Sequence, residues 1–174
     1  MKGTKNMNRL KSKLLFVICF VTIFLLMGCF EQNTAIDPNA KKTPVTAENF
    51  KSITKNNYFE VSEDSGVITA NLDVDCGHSG VKIVFVECKN SSLAETAYTA
   101  SKNEFLNTLK RNSIGTLNEK EETFQNGKKY TTTLGKNGVT SYVYLVDNTV
   151  IGFAPFRCKE YQKKVDKILS EFKY

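Results

Sequence analysis

Apolar positions along the chain follow two different periods. From Gly66 to Cys76, GVITANLDVDC sets Ile68, Ala70, Leu72, Val74 and Cys76 at every second position, with Asn71, Asp73 and Asp75 between them. That alternation predicts a strand with one buried face. GHSG at 77–80 is a turn by composition, and VKIVFVEC at 81–88 resumes as a strand, so the two runs form a hairpin with His78 at its tip. A 3.6 period then takes over in SSLAETAYTASKNEFLNTLKRN, residues 91–112. There Leu93 or Ala94, Ala97, Ser101, Phe105 and Leu109 share a stripe. Ser92 and Glu95 have capping-box spacing, and Lys110 and Arg111 suit the carboxyl end of the helix dipole.

A shorter helix opens at VTAEN, residues 45–49, where Thr46 can cap and Val45 can pack on Phe50; NNYF ends it. Turn signals at Asn126-Gly127, Asn137-Gly138 and Asp147-Asn148 divide residues 114–157 into the four strands of an antiparallel meander. EYQKKVDKILSEFKY then sets Tyr161, Val165, Ile168, Leu169 and Phe172 on one helical face. The order is α-β-β-α-β-β-β-β-α. Because VKIVFV, SYVYLV and TVIGFAPF are apolar on both faces, they need cover on both. The expected class is α+β: an α/β/α sandwich of three helices around a six-stranded antiparallel sheet, with a two-layer arrangement as the alternative. That order, closing in ILSEFKY, resembles the PsbP-like fold, named for an extrinsic protein of photosystems. The resemblance implies an accessory or binding role without a shared active site.

Residues 1–28 have the layout of an export signal. Lys2, Lys5, Arg9, Lys11 and Lys13 precede an apolar run of fourteen positions, Leu14 to Met27, broken only by Thr22. That run suits a signal-peptide core and falls short of the ~20 residues that span a bilayer. Its end, LMGC at Leu26–Cys29, resembles the lipobox of bacterial lipoproteins. The resemblance implies that Cys29 becomes the lipidated N-terminus, a diacylglyceryl anchor on the extracytoplasmic face of the cell membrane; cleavage at a soluble-secretion site is the alternative. EQNTAIDPNAKKTPV, residues 31–45, is polar, contains Pro38 and Pro44 and lacks an apolar period, so residues 29–45 read as lipidated cysteine and tether. Its fifteen residues span at most about 50 Å when extended. Residues 46–174 then make one domain, long enough for its own core.

Removing the signal changes the charge. The chain has 24 Lys+Arg and 18 Asp+Glu; the signal takes five cations and no acids, leaving 19 against 18, or +1. No concentrated basic surface is indicated, so nucleic acid is excluded as a partner.

Candidate chemistry gathers around the single histidine. GHSG lacks the second flanking glycine of a hydrolase elbow, since position 81 is Val, and the elbow needs a strand-turn-helix context. A Cys76–His78 thiol pair has no identifiable orienting group. Asp73, Asp75 and His78 match no known metal-ligand spacing. The acids Glu119, Glu121 and Glu122 read as a solvated or edge strand. Tyr142 and Tyr144 share a strand face and are expected in the core, or on a binding surface if no helix covers them. No catalytic residue, metal site or cofactor is therefore assigned. The expected function is a non-enzymatic domain binding a protein or small-molecule ligand, tied to the membrane through Cys29. The alternatives are an envelope-acting enzyme using Cys76, His78 or nearby acids, and an assembly subunit of an envelope complex. Strand parity puts Cys76 and Cys158 at one end of the sheet and Cys88 roughly 23 Å away at the other. This allows a Cys76–Cys158 disulfide, with free buried thiols as the alternative.

Overall fold

The computed structural model describes residues 37–73, 80–112, 115–135, 138–156 and 159–174. The elements run α1 (Ala47–Asn56), β1 (Glu60–Asp64), β2 (Val67–Leu72), β3 (Val81–Glu87), α2 (Ser91–Asn112), β4 (Leu117–Phe124), β5 (Gly127–Leu134), β6 (Thr140–Val146), β7 (Thr149–Phe156) and α3 (Lys159–Phe172). The class is α+β. The sheet has seven strands, not the expected six, in the antiparallel order β1-β2-β3-β7-β6-β5-β4. The additional strand is β1. Its sequence, EVSED, is exposed except at half-buried Val61, so it offers no apolar alternation. It pairs with β2 across Ser65 and Gly66, whose φ values of 52° and 79° match the twist of a tight hairpin.

Local signals explain the helices. In α1 the Asn49 N–H donates to Thr46 Oγ1 at 3.2 Å, and Val45 and Phe50 are both buried, forming the expected cap and staple. α2 is capped by Asn90, whose Oδ1 accepts the Leu93 N–H at 2.9 Å. The expected Ser92–Glu95 box does not form at this terminus, and Glu95 pairs with Lys128 instead. Ala94, Tyr98, Phe105 and Leu109 make the buried stripe of α2, while Leu93 is half exposed.

Helices cover both faces of the sheet, but unequally. On one face α1 and α3 bring Phe50, Val165, Ile168 and Phe172 against Ile68, Ile83, Phe85, Ile151 and Phe153 of β2, β3 and β7. On the other, α2 packs Ala94, Tyr98 and Phe105 on Tyr130, Val143, Leu145 and Val150 of β5, β6 and β7. A Cβ at Gly152 would lie 2.9 Å from the Phe105 ring, so the absence of a side chain there lets α2 lie close on β7. Pro155 falls where the β6–β7 register slips, a place that needs no ladder donor. This staggered cover leaves the β4–β6 half of the α1/α3 face only partly shielded. Tyr130, Thr132 and Leu134 of β5 are buried under α2, whereas Lys129, Thr131 and Thr133 on its other face are half-buried.

The stretch read as a tether is laid against this open half from Ala40 onward. The Gln125 N–H donates to the Ala40 carbonyl at 3.1 Å, and Asn126 both accepts from the Lys42 N–H and donates to the Lys42 carbonyl, each at 2.9 Å. The Val45 N–H reaches the Tyr174 hydroxyl at 3.4 Å. Residues 40–45 form a strap joining the β4–β5 turn to the C-terminal end of α3.

Candidate functional site

Cys29, Cys76, His78 and Cys158, like Asp75, lie outside the described residues. The strands leading to them are described. β2 pairs with β3 through Leu72 and Val81, and β7 pairs with β3 through Phe153 and Ile83. β2 and β7 therefore finish at the same end of the sheet with β3 between them, while Cys88 stands at the other end. The Cys88 N–H donates to the Asn148 carbonyl at 2.9 Å. Cys88 is a free, half-buried thiol, pushed up in pKa by burial. Asp73 is exposed just past β2. No cluster of three or more metal-ligating side chains occurs among the described residues. No helix among them is long and apolar enough to cross a membrane.

β4 is an edge strand, mostly exposed as expected, yet its acids on one face are held by specific partners. Glu119 and Glu121 point to the α2 face, where Tyr130 donates to Glu119 at 2.6 Å and Tyr98 to Glu121 at 2.9 Å. Lys102 pairs with Glu121 at 3.1 Å and lies 4.4 Å from the centroid of the Tyr130 ring. Lys128 pairs with Glu95 at 2.7 Å and lies 4.7 Å from the Tyr98 ring. Burial works to raise the Glu121 carboxyl, but the hydrogen bonds from Lys102 and Tyr98 outweigh it and hold the group below the usual carboxylate range. Burial, then the bond to Glu119, pushes the Tyr130 hydroxyl up to about 12. Each ammonium over a ring here also has a carboxylate.

The opposite face repeats the stack with its carboxylates set beyond ion-pair distance, Glu122 standing directly across the β4–β5 ladder from Lys129. Tyr142 and Tyr144 divide the two roles expected for them: Tyr144 is buried in the core, and Tyr142 is half-buried at its margin. Lys129 sits over both rings, 5.0 Å from Tyr142 and 5.4 Å from Tyr144. Lys42, carried in by the strap, sits 5.5 Å from the Phe124 ring and 5.8 Å from Tyr174. The Tyr144 and Tyr174 rings are themselves in contact, with centroids 5.1 Å apart. Among the described residues neither Lys42 nor Lys129 is in an ion pair. Burial lowers the pKa of both, and for Lys129 the neighbouring charges of Lys120 and Lys42 work in the same direction against Glu122 and Asp166. Glu122 pairs with Lys120 at 2.8 Å, and Asp166 accepts from the uncharged amide of Gln162, which also donates to the Tyr142 hydroxyl at 3.2 Å. A small cleft of about 120 Å³ lies further along the strap, lined by residues that include Pro44, Ile53 and Phe172. Sequence reading missed this face because its components come from the supposed tether, β5, β6 and the C-terminus. The one signal available was the tyrosine pair on β6. No known family, no curated protein and no solved structure matches the chain.

Proposed function

We propose that this chain is a membrane-anchored, extracytoplasmic binding protein without catalytic activity, and that the partly open β4–β6 half of the sheet is its binding face. The anchor follows from the five cations, the apolar run and the LMGC ending at Cys29. The observation that carries the binding reading is the unequal cover of the sheet. Lys129, Thr131, Thr133 and Tyr142 stand half-buried on regular strands, held in fixed places and within reach of a ligand. A photo-crosslinking amino acid at position 131, compared with one at Glu104 on the exposed side of α2, tests this in intact cells. An adduct at 131 and none at 104 is expected. Equal labelling, or none at 131, refutes the assignment of this face.

A further inference from the structure

We propose that α2 is docked on the sheet in two parts, with Thr132 and Ser141 as a polar seam beneath it, and that residues 106–112 lift off about that seam while residues 94–105 stay seated. Two apolar clusters, not one, lie under the helix. The first gathers Ala94, Tyr98 and Phe105 with Tyr130, Val143, Leu145 and Val150. The second is smaller: Leu109, Leu134 and Val139, with Leu117 at its edge. On β5 the side chain between Tyr130 and Leu134 on this face is Thr132. Along the next strand Ser141 stands two positions from Val143 and two from Val139. Thr132 and Ser141 face each other across the β5–β6 ladder. Both are fully buried, and neither hydroxyl has a hydrogen-bond partner among the described residues. Thr132 lies near enough to the Tyr130 hydroxyl to act on its pKa, but no hydrogen bond of sound geometry links them.

Polar ties follow the same division. Tyr98–Glu121, Lys102–Glu121 and Glu95–Lys128 fasten the first part of α2 to β4 and β5. Among the described residues no hydrogen bond or ion pair ties α2 to the sheet beyond Lys102, and Arg111 turns its Nε back to the Asn107 carbonyl of its own helix. Phe105, seated over Gly152, ends the fastened part. Of residues 106–111 only Leu109 is buried. The seam lowers the cost of lifting them. A hydroxyl shut into an interface without a partner has lost its water and gained nothing, and it recovers that loss when the interface opens. Two such groups lie along one line here. The open form uncovers Leu134 and Val139, an apolar surface made available without breaking a ladder. This device sits on the face opposite the proposed binding surface and does not depend on it.

Native-state hydrogen exchange of the full chain in non-ionic micelles reads the opening directly. The amides of residues 106–111 should share one protection factor, about tenfold or more below that of residues 98–105. It should fall with urea, because lifting exposes buried surface. Graded values that ignore urea mean simple fraying and overturn the proposal. Ser141→Ala removes one hydroxyl with little change of volume, and should slow exchange of residues 106–111 about tenfold, the penalty of one orphan group. Thr132→Val should act in the same direction and the double variant more strongly, with residues 98–105 left near their native rates. Faster exchange after either single substitution means that the hydroxyl was serving a partner. Unchanged exchange after both means that the seam does not govern the opening. Either result overturns it. Thr69→Val makes the same chemical change on β2, away from α2, and should leave these amides alone; slowing there too would assign the effect to global stability and overturn the seam. If Thr132→Val does not fold, Ser141→Ala and the urea dependence of the native chain decide.

Discussion

A single added methyl reports how closely β4, β5 and β6 are pressed together. At Gly127 a Cβ would collide with the Leu145 carbonyl oxygen and stand 2.8 Å from the Phe124 ring. Backbone in a ladder cannot yield, so Gly127→Ala should cost about 2–3 kcal/mol. Gly152→Ala meets only the edge of the Phe105 ring, which can turn aside, and should cost about 1 kcal/mol. Urea midpoints give the order, and equal losses would contradict this account. Glu121 makes a second test. Its folded pKa lies below the unfolded value, so its contribution is present above the ordinary glutamate range and is lost as pH falls through the folded value. With the side chain 39% exposed, screening holds that contribution under about 1 kcal/mol. Glu121→Gln should therefore be slightly less stable at pH 7 and approach the native chain as acid titrates the carboxylate below its ordinary range. A difference that does not shrink with acidification would assign the effect to packing. The sequence displayed the alternation of Glu119 and Glu121. It could not display their partners, because Tyr130 and Tyr98 reach them only through the β4–β5 pairing and the seat of α2 on the sheet.

At the level of elements, hydrophobic spacing was a sound guide wherever burial was one-sided. α1, α2, α3 and β2 were legible for that reason, β3, β6 and β7 by runs apolar on both faces, and the divisions of the meander by its turn signals. β1 was not, because an edge strand has a neighbour on one side only and this one presents Glu60, Glu63 and Asp64 to solvent. β4 is the other edge and is charged in the same way, but its position between a helix and a turn signal gave it away. Capping misled for a different reason: two residues can satisfy the same rule, and the helix starts where the chain turns out of β3. Asn90→Ala should cost α2 about 1 kcal/mol, whereas Ser92→Ala should stay within about 0.5 kcal/mol. Denaturation curves of the two variants distinguish the caps, and the reverse order would restore the Ser92–Glu95 box.

For the whole molecule, the anchor and the domain make separate predictions. Cys29→Ser should abolish incorporation of labelled fatty acid and release the protein from the membrane fraction; retention at the native level would refute lipidation. Mass mapping of the native protein is expected to leave Cys88 unpaired within the monomer, because its strand end is opposite the one toward which β2 and β7 run. The boundary between anchor and domain was the least legible feature. Pro38, Pro44 and a lack of apolar period describe a docked strap as well as a free tether, since the strap is held by backbone groups that carry no sequence signature. The strap also decides how the fold meets mechanical load. Tension applied to the chain ahead of Asp37 arrives first at the Ala40–Asn126 clasp and the Val45–Tyr174 bond, not at the sheet. Under a pull those few bonds break in succession while the ladders of the sheet stay unloaded. The strap thus acts as a fuse, and because Lys42 travels with it, a stretched molecule gives up the ammonium seated over Phe124 and Tyr174 before it loses its fold.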